Sequence, residues 1–449
     1  VAIAGLLLLA GCASTPRPSS SGSHGNPSSS AATVPGGVLH APRIAQGHAF
    51  PTGHGAGEPS IAVDSRGRVF VTSVEQTDVS GNPLGDFRTG LLRSDDGGHN
   101  WTEVTPHLPV TNTPTQPATS DPFAYMDPAT GRLFVLDQQG VSCNLLSTSD
   151  DAGTTWNPPV PVCPTPLTDH PSLVAGAPTT LPPSPFYADF VYLCDSTVIS
   201  SACSRSTDGG LTFQDIGAPF PLPDNCSGIV AHLVSAPDGA IYLPKNECGS
   251  LVLMRTTDDG TSWALYGTAP GQASDGSLDA GVAVDAAGTL YVVYTSDDGR
   301  LTLHSTPDGK SWTSTNVLPG SLTAGNMPAI AAGAAGKLAL AYYGTSAVGG
   351  FSNANATWDG YLALIDVTGA QPVVKTARVN PIADPLVRGP CGPGRCGSVL
   401  DFIGVALDGH GQAWGAFVDT CVADCGAEGG TVAQSNANAG LVGFWDGKG

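Results

Sequence analysis

Apolar positions along this chain fall into short, regularly spaced runs, and no amphipathic helical stripe interrupts them. Glu58-Pro59-Ser60-Ile61-Ala62-Val63-Asp64 leads through Gly67 to Val69-Phe70-Val71. A strand, a glycine turn and a second apolar strand recur in that order at Asp121 (through Gly131 to Leu133-Phe134-Val135), His170 (to Phe190-Val191-Tyr192) and Val230 (through Gly239 to Ile241-Tyr242-Leu243). They recur again at Asp279 (through Gly288 to Leu290-Tyr291-Val292), Met327 (through Gly336 to Leu338-Ala339-Leu340) and Phe402 (through Gly411 to Ala413-Trp414-Gly415). Each unit then adds a third strand, a hairpin and a fourth strand; four antiparallel strands every ~40–50 residues predict a propeller blade. The last unit stops after its third strand near Leu441-Val442-Gly443-Phe444-Trp445, and Val38-Leu39-His40-Ala41-Pro42-Arg43-Ile44 is expected to supply the fourth. Closing the ring in this way removes an exposed sheet edge. The expectation is one all-β domain over 38–449: a seven-bladed β-propeller of four-stranded antiparallel blades, closed by an N-terminal strand.

Between third and fourth strands a second motif returns. Ser94-Asp95-Asp96-Gly97-Gly98-His99-Asn100-Trp101 is followed by Ser149-Asp150-Asp151-Ala152-Gly153-Thr154-Thr155-Trp156 and Ser206-Thr207-Asp208-Gly209-Gly210-Leu211-Thr212-Phe213. Thr256-Thr257-Asp258-Asp259-Gly260-Thr261-Ser262-Trp263 is a fourth copy, and Ser305-Thr306-Pro307-Asp308-Gly309-Lys310-Ser311-Trp312 a fifth with its acid displaced. Hydroxyls and carboxylates cap free backbone N–H groups in such a turn, glycine takes the positive φ, and the aromatic plugs the hairpin. These residues resemble the Asp-box, the bacterial neuraminidase repeat of sialidases, sortilin-type receptors and xyloglucanase-type hydrolases. The resemblance implies a sialidase-like propeller with the boxes on the face away from the site, so it assigns these aspartates to stability. Enzymes and receptors share the motif, so it decides neither.

Composition narrows the partners. A formal charge of −20 with only 18 Lys and Arg argues against nucleic acid and against an anionic membrane surface. Residues 1–12 form a short apolar segment, and Leu9-Ala10-Gly11-Cys12 resembles a bacterial lipobox, which implies lipidation of Cys12. The Ser/Pro/Gly-rich stretch 13–37 reads as a disordered tether. The protein is therefore expected to be exported and lipid-anchored on the outer side of the membrane, monomeric, touching membrane only through its lipid. Ten further cysteines suit an oxidising compartment, with preferred pairs Cys143–Cys163, Cys194–Cys203, Cys226–Cys248, Cys391–Cys396 and Cys421–Cys425. The last four could instead cross-pair. No thiolate metal site is expected.

In a propeller the loops joining second to third and fourth to first strands share one face, and nearly all the cysteines fall there. Aligning the repeats puts Glu58, Asp121, His170, Val230, Asp279, Met327 and Phe402 around one channel mouth, with Asp169, Asn326 and Asp401 beside them. Such groups could transfer protons, line a wet rim, or hold a divalent cation such as calcium, although no cofactor is required. Second-strand ends supply Ser73, Asp137, Asp195, Lys245, Tyr294, Tyr342 and Phe417; with Tyr343, Phe351 and Trp358 they offer aromatic surface for sugar rings. Sialidase chemistry needs three arginines on the substrate carboxylate, a tyrosine activated by glutamate, and an acid. Arg43-Ile44-Ala45 lacks the proline of the family's Arg-Ile-Pro. Arg93, Arg205 and Arg255 each precede a box and so stand on the other rim, which leaves Arg43, Arg88, Arg388 and Arg395. The catalytic candidates are Tyr342 with Glu247 or Glu58, and Asp121 as acid; the ligand-binding candidates are Glu58, Asp121, His170, Asp279, Asp401, Arg388, Tyr342 and Trp358. The expected role is recognition of an extracellular glycan or cell-envelope protein by a disulfide-braced face, the alternative an exo-sialidase or other glycoside hydrolase there.

Overall fold

The computed structural model describes residues 37–41, 43–77, 86–106, 119–163, 168–197, 200–220, 229–273, 279–392, 395–396, 399–421 and 438–448. The leader, Cys12 and the tether lie outside these residues. Three short strands come first, β1 (Leu39–His40), β2 (Ala45–Gln46) and β3 (His48–Gly55). Five consecutive four-stranded antiparallel sheets follow. They are β4–β7 (Ser60–Val63, Val69–Thr77, Asp86–Ser94, Thr102–Glu103) and β8–β11 (Thr119–Met126, Leu133–Gln139, Cys143–Ser149, Val160–Val162). Next come β12–β15 (Thr168–Gly176, Phe190–Thr197, Ser201–Ser206, Gln214–Gly217), β16–β19 (Val234–Ser235, Ile241–Glu247, Ser250–Thr256, Ala264–Thr268) and β20–β23 (Gly281–Val284, Leu290–Thr295, Leu301–Thr306, Thr313–Asn316).

The next sheet is larger. Its meander β24–β27 (Ala324–Ala332, Lys337–Thr345, Thr357–Asp366, Val373–Arg378) gains β1 and β2, both parallel to β27, and β28 (Val387–Arg388) against β26. The last four-stranded sheet joins β29 (Gly404–Leu407), β30 (Ala413–Asp419) and β31 (Ala439–Trp445) to β3. The molecule is thus an all-β propeller with six four-stranded antiparallel sheets, where the sequence predicts seven; the remaining sheet has seven strands. A second expectation changes too. The expected closing segment does not complete the last sheet: its Leu39–His40 pairs with β27, while β3, a few residues later, pairs antiparallel with β31.

Neighbouring sheets are held together by the apolar runs. Leu133, Phe134, Val135 and Leu136 are all buried because a middle strand of a sandwiched sheet has no solvent face. Alternate residues feed different cores: Leu133 and Val135 join Phe70 and Leu91, whereas Phe134 and Leu136 join Val191 and Leu193. The same interleaving runs on to the last sheet, where Trp414, Ala416 and Val442 pack on Ile61, Val69 and Val71 of the first. Fully burying one such large side chain contributes about 1.5–3 kcal/mol. Outer strands such as Gln214–Gly217 and Thr313–Asn316 are short, polar and mostly exposed, which blunts the sheet edges. Among the described residues, no helix is long and apolar enough to cross a membrane.

Candidate functional site at the channel mouth

The up-and-down order of each sheet puts its turns on two opposite faces. One face carries the third-to-fourth-strand hairpins. There Ser94 Oγ donates to Asp96 Oδ1 at 2.9 Å and accepts Gly98 N–H at 2.8 Å, and Asp96 accepts the Asn100 backbone N–H at 2.9 Å. The same set recurs with Ser149, Asp151, Gly153 and Thr155, with Ser206, Asp208, Gly210 and Thr212, and with Thr256, Asp258, Gly260 and Ser262. In the fifth copy, one residue shorter, Thr306 Oγ1 accepts Gly309 N–H and Asp308 accepts Ser311 N–H. Hydrogen bonds from the Asn100 side chain and backbone hold Asp96 down at about 2. Burial pushes Asp208 and Asp258 the other way, yet the same bonds keep both below the usual carboxylate range. Arginines reach from one sheet to the next box: Arg93 donates to Ala152 O at 2.9 Å, Arg132 to Gly209 O at 2.9 Å, and Arg205 to Asp259 O. Arg255 donates to Asp238, in the turn between β16 and β17 on this face, at 2.9 Å, so Arg93, Arg205 and Arg255 all stand away from the mouth as expected. On this face a recess of about 620 Å³ also opens between the two box-free sheets, lined by Lys337, Asp366, Lys375, Asp408 and His410.

The opposite face carries the disulfides Cys143–Cys163, Cys194–Cys203 and Cys391–Cys396, as the spacing predicts. Cys248 and Cys421 are also disulfide-bonded; Cys226 and Cys425, their expected partners, lie outside the described residues. Here innermost strands start with irregular backbone. Glu58, Asp121, His170 and Met327, four of the aligned positions, all take positive φ between 45° and 51°. Register shifts bracket three of them, between Ser120 and Phe123, Asp169 and Ser172, and Asn326 and Ala329. A bulge re-aims a side chain, and non-glycine residues in this region are strained, so four of the sheets hold strain at the same place in the repeat.

Acids from several sheets then meet. Glu58 hydrogen-bonds Asp121, and Asp121 hydrogen-bonds Asp169. Asp121 Oδ2 accepts His170 N–H at 2.9 Å, and Glu58 Oε1 accepts Asp401 N–H at 3.2 Å. Arg395 Nη2 donates to Asp401 at 2.7 Å, and Asn144 Nδ2 to Asp195 at 2.6 Å. Burial, reinforced by the charges of Asp401 and Asp169, lifts Glu58 to about 6. Burial and then Asp121 lift Asp169 to about 8; burial and the charges of Asp169 and Asp121 lift Asp195 to about 8 as well. Asp121 is pushed well up by burial and by Glu58. Asp401 is raised by burial against the pull of Arg395. Carboxyls bonded to one another need shared protons, whereas calcium would need their bare oxygens.

Beside the acids stands an aromatic group. His170 and His232 stack at 4.8 Å, Phe402 meets both edge-on at 5.3 and 4.8 Å, and Phe123 stacks on His232 at 4.9 Å. His232 Nδ1 lies 3.1 Å from Asp279 Oδ2. Burial alone would raise Asp279, but the His232 imidazole beside it holds it below the ordinary value, while burial lowers His170 to about 4. One donor atom each from His170, His232 and Asp279 falls within 4.8 Å of the others.

The structure thus gathers Glu58, Asp121, His170, Asp279 and Asp401 at one opening and leaves other candidates elsewhere. Tyr342 is fully buried and stacked on Tyr361 at 5.4 Å, and among the described residues no acid hydrogen-bonds its hydroxyl. Its neighbour Tyr343 enters the next core and bonds Val418. Glu247 pairs with Lys245 at 3.0 Å rather than with a tyrosine. Trp358 is buried, its indole N–H donated to Gly389 O at 3.1 Å and its ring on Phe351. A strand-end aromatic sits between sheets, which is why Tyr342 and Trp358 cannot reach a ligand. Arg388 lies on β28 opposite Thr357, Arg88 binds Glu75 and Glu103, Arg395 binds Asp401, and Arg43 is exposed beside β2. These four arginines stand on separate elements with separate neighbours. Sequence reasoning missed His232 and Phe123, each two residues past the aligned position of its repeat, where the side-chain period of a strand returns to the same face.

Residues 92–340, more than half of the chain, match the family model described as a BNR repeat-like domain. Comparison with curated proteins finds no match. Similar solved structures include the Hadza microbial sialidase Hz136, at 14% identity over 72% of this chain and 66% of that one, TM-score 0.43. A protein of unknown function from Dyadobacter fermentans shows 13% identity over 92% of this chain and 99% of that one, TM-score 0.45. NanB sialidase from Streptococcus pneumoniae shows 12% identity over 88% and 70%, TM-score 0.47. With the repeated boxes and the propeller already in view, the family match identifies the chain as a member of the BNR repeat-like family, a sialidase-like β-propeller.

Proposed function

We propose that the channel mouth recognises an extracellular glycan whose contacting sugars are uncharged, and that the protein presents this face from a lipid anchor at Cys12. The observation that carries the reading is the hydrogen-bonded series Glu58–Asp121–Asp169. Acids kept protonated donate O–H groups, the ionised Asp279 accepts, and the half-buried Phe123 supplies apolar ring surface nearby. Sugar hydroxyls ask for that mixture of donors and acceptors. A sialic acid carboxylate instead asks for clustered arginines, and the four on this face are dispersed or committed to acids.

A second reading rests on a separate observation: in one opening Asp169 is pushed up to about 8 while Asp279 is held low. Carboxyls separated in this way are the acid and base of a glycoside hydrolase. Both readings are tested on the purified full chain with an array of neutral and sialylated glycans, followed by turnover assays on the glycans retained. Retention of neutral glycans, weakened at least tenfold by Asp279→Asn and without turnover, is the expected result. Cleavage would establish the hydrolase, and retention of sialylated glycans alone would overturn the proposal.

A further inference from the structure

The imidazole group at the mouth does something the acids do not. His170 is only 2% exposed, yet neither of its ring nitrogens has a hydrogen-bond partner. Beside it, His232 Nε2 and Asp279 Oδ1 are buried and unpartnered as well. Buried polar atoms are nearly always paired, because leaving one bare costs about 1–3 kcal/mol. Four such atoms on three neighbouring side chains, from three different sheets of the ring, therefore ask for a common occupant.

The donors define its chemistry. Two imidazoles and one carboxylate are the set that borderline first-row ions take, and three protein ligands with the remaining positions open is the pattern of a reactive zinc site. Calcium and magnesium prefer an all-oxygen shell. We propose that His170, His232 and Asp279 form a binding site for a divalent transition ion of the zinc class, with its open coordination positions facing the channel. Donor atoms within 4.8 Å of one another need to close to about 3.4 Å, the separation set by bonds of ~2.1 Å at a tetrahedral angle. His232 and Asp279 can make that adjustment, since their side chains are 24% and 11% exposed and both precede their strands. The packing already fixes the rings: Phe402 abuts both imidazoles and Phe123 covers a face of His232, leaving their nitrogen edges as the reactive parts. His232 Nδ1 and Asp279 Oδ2, 3.1 Å apart, already stand at a separation that two ligands of one ion can keep.

This site shares Asp279 with the glycan reading but does not require it, and it is tested without any glycan. The full chain, disulfides intact and without a polyhistidine tag, is dialysed against chelator and titrated with Co²⁺, followed by its visible d–d absorption, and with Zn²⁺ by calorimetry. One equivalent of each is expected to bind. His232→Ala and Asp279→Asn should each weaken binding at least tenfold, as loss of one of three protein ligands does. His410→Ala, on the opposite face, should leave it unchanged. Circular dichroism of each variant separates lost ligation from lost folding, and His232→Gln serves if His232→Ala does not fold. Absence of a d–d band and of Zn²⁺ heat at millimolar metal would overturn the proposal, as would uptake undiminished in the Asp279→Asn variant or equal competition by Ca²⁺.

Discussion

Aspartates on the two faces of this propeller share a side chain and little else. Asp96 sits in a turn that wraps it in donors from residues two and four positions away, and it is held at about 2. Asp169 sits among Asp121, Glu58 and Asp195, drawn from other sheets, and is lifted to about 8. One environment is made by eight consecutive residues and the other by the whole ring. Local wrapping yields a stabilising anion; distant convergence yields a proton store.

Covalent bracing gives the largest expected difference between the faces. Replacing Cys143 and Cys163 together by serine frees a loop spanning 20 residues on the mouth side and should lower stability by about 3 kcal/mol, read as a shift in urea midpoint. A loss below about 1 kcal/mol would mean that the mouth holds its shape without the bridge.

The acids should respond to pH with opposite sign. Box aspartates are lowered in the folded chain, so their stabilisation is complete above the unfolded value of 3.8 and is lost as pH falls through about 2. Mouth acids are raised, so theirs is complete below their unfolded values and is lost as pH rises through about 6 for Glu58 and about 8 for Asp169 and Asp195. Asp169→Asn removes one titrating group. Between pH 4 and pH 8 its stability should gain on the parent by on the order of 2 kcal/mol, less than the full shift would give because Asp121 shares the proton. Parallel profiles for the two proteins would sink the idea of a protonated mouth. The smallest effect belongs to a single box: Asp258→Ala should cost about 1 kcal/mol, as loss of a capping side chain does, with no change in ligand or metal binding.

The same contrast explains what could be read from sequence. The boxes and the strand rhythm are written in neighbouring residues, so the propeller, the placement of Arg93 and Arg205 and three of the disulfides were legible. Aligning repeats also brought Glu58, Asp121, His170, Asp279 and Asp401 to one rim. Tyr342 and Trp358 misled because both faces of a radial sheet are buried, so alternation does not say which aromatic reaches water. His232 was passed over because Val230 held the aligned position, and only the tertiary fold shows the imidazole pointing at Asp279. The extra strands on β27 were hidden for a related reason: pairing at a sheet edge is decided by which edge is nearest, and the sequence of Leu39–His40 carries no trace of it.

The arginines that clasp the next box have one more consequence. Arg93, Arg132 and Arg205 each spend a guanidinium on a carbonyl belonging to the following sheet, so the folded state of one repeat is partly written in its successor. A repeat excised from this chain would take away its neighbour's clasp. Hydrogen exchange should accordingly find the second, third and fourth boxes opening together with the sheet before them, as links of one chain and not as free beads.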